Sequence, residues 1–147
     1  MDTFTPEQRS EIMSRIRSSG TGPETRLYEL TREVLGWRRK VVCNSTDHVG
    51  TPDLVIPSLQ LVLFADGCFF HGCPLHCRMP ATNREYWERK IERNQQRDRR
   101  SRRQLRAEGF AVWRFWEHDL KPKRWDFTVS RLERAITAAI ARIGKSN

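Results

Sequence analysis

Leu61-Val-Leu-Phe-Ala-Asp-Gly-Cys-Phe-Phe-His-Gly-Cys-Pro-Leu-His-Cys77 runs an apolar strand straight into a loop crowded with sulfur and imidazole. Leu61 to Phe64 is short, apolar and bounded by turn residues, as a buried strand should be. Asp53-Leu-Val-Ile56 reads as a partner strand, separated from it by Pro57-Ser58-Leu59-Gln60. Trp37 to Val42 forms a third candidate upstream. Downstream, a long helix runs from Asn83 to Glu108 and is stopped by Gly109. Phe110 to Trp116 alternates as a further buried strand. A last helix, Phe127 to Ile143, puts Val129, Leu132, Ile136, Ile140 and Ile143 on one face.

Ahead of these, Thr5-Pro6-Glu7-Gln8 reads as a helix start, with the helix reaching Ile16. Thr21-Gly22-Pro23-Glu24 opens another, faced by Leu27, Leu30 and Val34 and ended by Gly36. The order is helices, three strands, long helix, strand, helix. It predicts an α/β domain over 1–147 with a mixed sheet flanked by helices. Residues 1–20 are expected to form an arm that contacts DNA.

The chain holds 27 Lys and Arg against 18 Asp and Glu, a formal charge of +9, so it should be attracted to polyanions. No apolar run approaches the ~20 residues of a membrane span. The first residues lack a basic-then-apolar signal pattern. A cytoplasmic location is therefore expected, and there clustered cysteines favour metal over disulfides. Cys43, set apart in an apolar stretch, reads as a buried thiol.

Cys68, Cys73 and His76 supply three nitrogen or sulfur donors, with Cys77 as a spare, and zinc wants four in a tetrahedron. His118, after the last strand, is a candidate for the fourth. Asp53, at the head of its strand, offers a carboxylate to a hard cation such as Mg²⁺. On the long helix, advancing ~100° per residue from Trp87 brings Ile91, Asn94, Asp98 and Leu105 onto one stripe. A carboxylate and an amide on an inward-facing stripe require partners. Asp98 either orients an imidazole such as His71 or pairs with a neighbouring arginine. Ten Lys or Arg between Arg84 and Arg106 can grip phosphates. Phe69, Phe70 and Trp87 can pack on the sheet or wedge between base pairs. Glu24 either closes a capping box with Thr21 or reaches a metal through water.

Taken together, Met13-Ser-Arg-Ile-Arg, Pro23-Glu24, Gly50-Thr-Pro-Asp53, Asp66-Gly-Cys-Phe-Phe-His-Gly-Cys-Pro, Thr82-Asn-Arg-Glu-Tyr-Trp87, Arg93-Asn94, Arg97-Asp98-Arg99-Arg100 and Trp116-Glu117 resemble the very short patch repair (Vsr) DNA mismatch endonucleases. The resemblance implies a restriction-endonuclease-like fold, a structural Zn²⁺ and a Mg²⁺-dependent nick beside the thymine of a T:G mismatch. It implies 5′-phosphate and 3′-hydroxyl ends. By it, Asp53 and the Ala65 carbonyl hold Mg²⁺, and His71 is the general base or orients water. Asp98, Asn94 and Glu24 share the catalytic neighbourhood. Cys68, Cys73, His76 and His118 hold zinc, with His76 against Cys77 left open. Phe69, Phe70 and Trp87 intercalate. The family usually has Phe-Trp where this chain has Phe69-Phe70, a smaller wedge. The resemblance also implies a monomer on double-stranded DNA that cooperates with mismatch-repair proteins. A non-catalytic, zinc-stabilised DNA-binding module would share the cluster, the charge and the aromatics, but gives Asp53 and Asp98 no joint role.

Overall fold

The computed structural model describes residues 22–145. The expected helix from Thr5 to Ile16, the DNA-contacting arm at 1–20 and the Thr21 half of the capping box lie outside the described residues. The elements are α1 (Gly22–Leu35), β1 (Val42–Cys43), β2 (Leu54–Ile56), β3 (Leu61–Asp66), α2 (Arg84–Ala107), β4 (Ala111–Trp116) and α3 (Trp125–Lys145). Short 3₁₀ turns follow β2 and β4.

The four strands form one mixed sheet in the order β1-β2-β3-β4. β1 to β3 are antiparallel, while β3 and β4 run parallel, Leu61 opposite Ala111 and Asp66 opposite Trp116. A parallel pair needs a long crossover, and α2 supplies it. Alternation sorts the side chains to two faces. Leu54, Ile56, Leu61, Leu63 and Phe115 meet Leu27 and Leu30 of α1 and Leu132, Ile136 and Ala139 of α3. Val55, Val62, Phe64 and Val112 meet Leu105 of α2 on the other. The sheet is thus buried on both sides, which explains the unbroken apolar run at Leu61–Phe64. Among the described residues, no helix is long and apolar enough to cross a membrane.

Two expectations need correction. The strand placed at Trp37–Val42 is only Val42–Cys43. Arg32 stacks its guanidinium 4.4 Å from the Trp37 ring and donates to the carbonyls of Gly36 and Arg39. Those contacts fold 36–40 back on the end of α1, so no extended strand starts at Trp37. On α3, Ile140 is 47% exposed, not part of the buried face. The smaller Ala135 and Ala139 are buried beside Leu132 and Ile136 instead, letting α3 approach the sheet closely.

Leu105 is fully buried and pins α2 to the sheet. Leu105→Ala should therefore cost about 2–5 kcal/mol, whereas Ile140→Ala should stay within roughly 0.5 kcal/mol of wild type. Urea unfolding followed by circular dichroism checks both. Equal midpoint shifts would show that α2 is not held by this contact.

Candidate active site and metal centre

The site lies where β3 and β4 end, on the face that α2 covers. Asp66 closes β3 and is buried. Arg114 of β4 shares its face, with the guanidinium 4.0 Å over the Phe64 ring. Arg114 Nε donates to Asp66 Oδ2 at 2.7 Å, and Arg114 Nη2 reaches Asp98 Oδ1 at 3.1 Å. The other oxygen of Asp98 lies 2.5 Å from His71 Nδ1, and Asp66 Oδ1 is 3.9 Å from the same nitrogen. The two readings of Asp98 therefore both apply, since it meets an imidazole and an arginine at once. That arginine comes from β4, not from its own helix.

The charges agree with this geometry. The Asp98 hydrogen bond raises the His71 pKa; burial opposes it and the Asp66 charge adds to it. Burial would raise Asp98, but the His71 hydrogen bond and the Arg114 charge outweigh it, leaving the carboxyl below its usual range. Both shifts favour the imidazolium–carboxylate form relative to the free groups, and Nδ1 is committed to Asp98. Only Nε2 is left to face other chemistry.

Asp53 ends the loop before β2. Its Oδ2 accepts the Ala65 backbone N–H at 2.7 Å, which aims the carboxylate along β3. Asp53 and Ala65 share one depression with Glu24, Asp66, His71, Asp98 and Arg97. Burial pushes the Asp53 pKa up to about 7; the Ala65 N–H opposes that, while the Glu24 and Asp66 carboxylates reinforce it. Arg97 and Arg114 line the same depression, but neither Asp53 nor Glu24 has an ion-pair partner among the described residues, and carboxylates so placed favour a shared proton or a bound cation. The donor set fits a hard cation: oxygen ligands at the rim of a polar depression, with room for water.

Beside it, the ligand atoms of Cys68, Cys73, His76 and His118 all lie within 4.8 Å of one another. His118 Nδ1 is 3.4 Å from Cys68 Sγ and 3.6 Å from Cys73 Sγ, and His76 Nδ1 is 3.8 Å from Cys73 Sγ. Zinc bonds of ~2.3 Å to sulfur and ~2.0–2.1 Å to nitrogen give a tetrahedral S···N edge of about 3.6 Å. The four residues therefore fit a zinc-sized ion. Cys77 is turned away, its thiol donating to the Phe69 carbonyl at 3.6 Å. Burial pushes the Cys68 thiol up, and the neighbouring Cys73 and Glu117 act in the same sense. Outside the cluster, His118 Nε2 lies 3.4 Å from Asp119 Oδ1, an oxygen that also accepts from Arg124 Nε at 3.1 Å.

The loop carrying these residues docks on α2. Asn94 Nδ2 donates to the Phe70 carbonyl at 3.0 Å, and its Oδ1 accepts from Arg97 Nη2 at 3.2 Å. Gln95 Nε2 donates to the carbonyls of His71 and Gly72. Gly72 has φ +68°, and a Cβ there would collide with the Gln95 amide and Ile91, so only glycine lets the loop sit this close. Phe69 and Phe70 stand edge-on with ring centroids 5.2 Å apart, and Phe69 lies 5.3 Å from Trp87. Phe70 is 52% exposed.

The expected residues thus fall into three adjoining groups around β3. Reasoning from sequence assigned no role to Asp66, Arg114, Gln95 or Asp119. Arg114 did carry a signal, a charge between Trp113 and Phe115 in an otherwise apolar strand. Asp66 closes a strand on the same face as Phe64, but alone an acid before Gly67 reads as a turn.

Residues 1–78 match the family model described as DNA mismatch endonuclease Vsr. The type II nicking enzyme V.XorIIP of Xanthomonas oryzae pv. oryzae is 40% identical over 121 residues, covering 81% of this chain and 86% of the relative. V.NmeDIP of Neisseria meningitidis serogroup C, also a type II nicking enzyme, is 40% identical over 122 residues, with 82% and 80% covered. The DNA mismatch endonuclease Vsr of Escherichia coli K12 is 35% identical over 124 residues, with 82% and 76% covered. Matches of this extent span the sheet, the α2 crossover and both residue clusters, and with them the chain belongs to the Vsr family and is a DNA endonuclease.

Proposed function

We propose that the protein nicks one strand of duplex DNA beside the thymine of a T:G mismatch, with Mg²⁺ at Asp53 and a structural Zn²⁺ under the loop. The carrying observation is the meeting of two carboxylates without an ion-pair partner among the described residues, Asp53 and Glu24, with the His71–Asp98 pair in one depression. A non-catalytic DNA-binding module has no use for that arrangement.

Phosphodiester hydrolysis needs an aligned water, neutralised phosphate charge and a proton acceptor. A divalent cation on these carboxylates supplies charge neutralisation and activation of water. Asp53, fixed by the Ala65 N–H, would hold that cation, with the Ala65 carbonyl and the nearby Glu24 carboxylate as further oxygen donors. His71 takes the proton from the attacking water on Nε2, and Asp98 holds the tautomer and steadies the imidazolium that forms. Arg114 pairs with both Asp98 and Asp66. Asn94 holds the aromatic loop at Phe70 and Arg97 faces the phosphate. Phe69, Phe70 and Trp87 insert where stacking is weakest, as it is at a mismatch. Four protein ligands close the zinc site, so its role is to brace the loop between Cys68 and Cys73, where His71 sits.

Strand-labelled duplexes carrying T:G, T:A or C:G at one position test the reading directly. Wild type should cut only the T-containing strand of T:G, only with Mg²⁺, and EDTA should stop it. Asp53→Ala should still bind that duplex but lose at least about 10³-fold in single-turnover rate. Equal cutting of all three duplexes removes the mismatch assignment, and full activity in Asp53→Ala removes the cation site.

The raised His71 pKa also fixes a pH dependence. The working base is the neutral imidazole, so rate should fall as pH drops through a value above 6.5, measured at saturating Mg²⁺ to keep Asp53 deprotonated. Asp98→Asn removes the cause of the shift and should move that limb to lower pH. A limb unmoved by Asp98→Asn would take His71 out of the base role. The stability contributions have their own signs. The His71 contribution is complete below its unfolded pKa of ~6.5 and is lost as pH rises through the higher folded value. The Asp98 contribution is present above ~3.9 and is lost as pH falls through its depressed folded value. The pair therefore supports the fold most between roughly pH 4 and 6.5.

Asp119 completes the zinc reading. Its carboxylate on His118 Nε2 fixes the tautomer that turns Nδ1 toward the two sulfurs. Asp119→Asn should weaken zinc binding about 10–100-fold in competition with a chromophoric chelator. Unchanged competition would show that Asp119 serves only Arg124 and the turn after β4.

A further inference from the structure

The Asp53 depression is one of two openings onto the His71–Asp98–Asp66 cluster. A second groove, of about 710 Å³, starts from the same three side chains and runs between α2, β4 and α3. Arg99, Arg102 and Arg106 line it from α2, Arg114 from β4 and Arg131 from α3. Spacing of i, i+3, i+7 puts the three α2 arginines on one stripe, roughly 60–120° round the helix from Trp87. Arg97 falls about 80° round the other way and lines the acidic depression instead. The buried stripe of α2 therefore separates two arginine-bearing flanks, only one of which faces carboxylates that need a cation.

Among the described residues the α2 arginines of the second groove have no carboxylate partner, while the Asp119 charge acts on Arg131 without an ion pair. The groove's two acids, Asp66 and Asp98, are both ion-paired with Arg114. Arg99, Arg102, Arg106 and Arg131 form no ion pair with a described residue. Arg102 Nε has no acceptor among the described residues. Arg131 is held in place by its bond to the Arg114 carbonyl at 3.2 Å and by the Trp113 and Phe115 rings. Four guanidiniums in a row, one of them fixed, form a poor surface for a protein partner and a good one for phosphate oxygens. From Arg99 to Arg106 the helix advances about 10 Å, long enough for its arginines to meet more than one phosphate of a strand.

We propose that this groove is a backbone channel. It holds consecutive phosphodiesters of one DNA strand flanking the cut and fixes the direction in which the duplex crosses His71. The inference rests on the nuclease reading above, and the experiment separates the two. Binding of a fluorescent T:G duplex is measured without divalent cation over a range of salt. The triple variant Arg99→Gln/Arg102→Gln/Arg106→Gln should bind roughly 10–100-fold more weakly at low salt. The slope of log K against log[salt] should shrink by about 2–3, near 0.9 per lost phosphate contact. The lysine triple, with charge kept, should restore most of the slope. Arg100→Gln/Arg103→Gln, on the outward face of α2, should leave it nearly unchanged. Truncating the duplex on one side of the cut, and not the other, should reproduce the triple variant. An unchanged slope in the glutamine triple, with circular dichroism showing it folded, overturns the proposal. So does an equal loss in the outward-facing pair. If millimolar inorganic phosphate changes tryptophan fluorescence while the glutamine triple keeps the wild-type slope, the groove is a small-anion site only, and the proposal fails. Single-turnover nicking with Mg²⁺ runs in parallel at saturating protein. Wild type that never nicks removes the nuclease reading; normal nicking beside an unchanged slope removes the channel alone.

Discussion

Asp98 is the joint on which the rest of the site turns. One oxygen meets His71 of the loop and the other meets Arg114 of β4, whose Nε in turn holds Asp66 of β3. A single helix carboxylate thereby ties a loop to two strands. Breaking a partly desolvated pair of this kind leaves a charge without its partner, which can cost about 3–5 kcal/mol when fully buried. These side chains keep 15–23% exposure, so the figure here is smaller. The more important result is orientation. With Nδ1 held by Asp98 and the loop backbone held by Asn94 and Gln95, the ring has one free nitrogen and one direction in which to present it.

The neighbouring carboxylates are treated in the opposite way. Asp66 and Asp98 each pair with Arg114. Asp53 and Glu24 face each other, the Ala65 N–H donates to Asp53, and the Asp53 pKa is lifted to about 7. A few ångströms of protein thus separate acids that already have their cation from acids that lack one. This division lets cation binding and proton transfer occupy one depression without competing. Had Arg114 reached Asp53 instead, it would have taken the place of the metal. Had Asp98 lacked Arg114, the imidazolium of His71 would be its only counter-charge, and each proton transfer would leave the carboxylate bare.

Much of this could be read in the chain because the decisive signals were local. The Leu61–Phe64 run, the α2 stripe from Trp87 through Asp98 to Leu105, and the crowding of sulfur and imidazole at 68–77 each declare themselves within a few residues. What stayed hidden depends on distant partners. Nothing near Trp37 says that Arg32 will stack on its ring and bend 36–40 into a turn. Periodicity counts Ile140 as core, but Ala135 and Ala139 are what let α3 close on the sheet, and a small residue gives no apolar signal of its own. Asp66 and Arg114 acquire meaning only through the parallel register of β3 and β4, which sets them on the same face beneath α2. The choice between His76 and Cys77 was invisible for the same reason: it depends on where His118, more than forty residues on, delivers its nitrogen.

Residues 67–83 contain no helix or strand, an unusual length of irregular chain inside a compact domain. Ordering such a segment costs about 1–2 kcal/mol per residue in backbone entropy. The loop buries little apolar surface to offset that: Cys68 and Cys73 are buried, while Phe70 and Leu75 stand exposed. Two amides from α2 and one imidazole–carboxylate contact are too few, at ~1–3 kcal/mol each. Under the proposed reading, metal held by the Cys68–Cys73–His76–His118 cluster adds to these contacts, since its ligation free energy would be folding free energy. Under the proposed reading the two cations then have different tasks. The cation at Asp53 acts on the phosphate. The other acts only on the chain: His71 is three residues from Cys68 and two from Cys73, so bracing those sulfurs fixes the base to within the length of a few bonds. Loop order and catalytic alignment are in that sense one property.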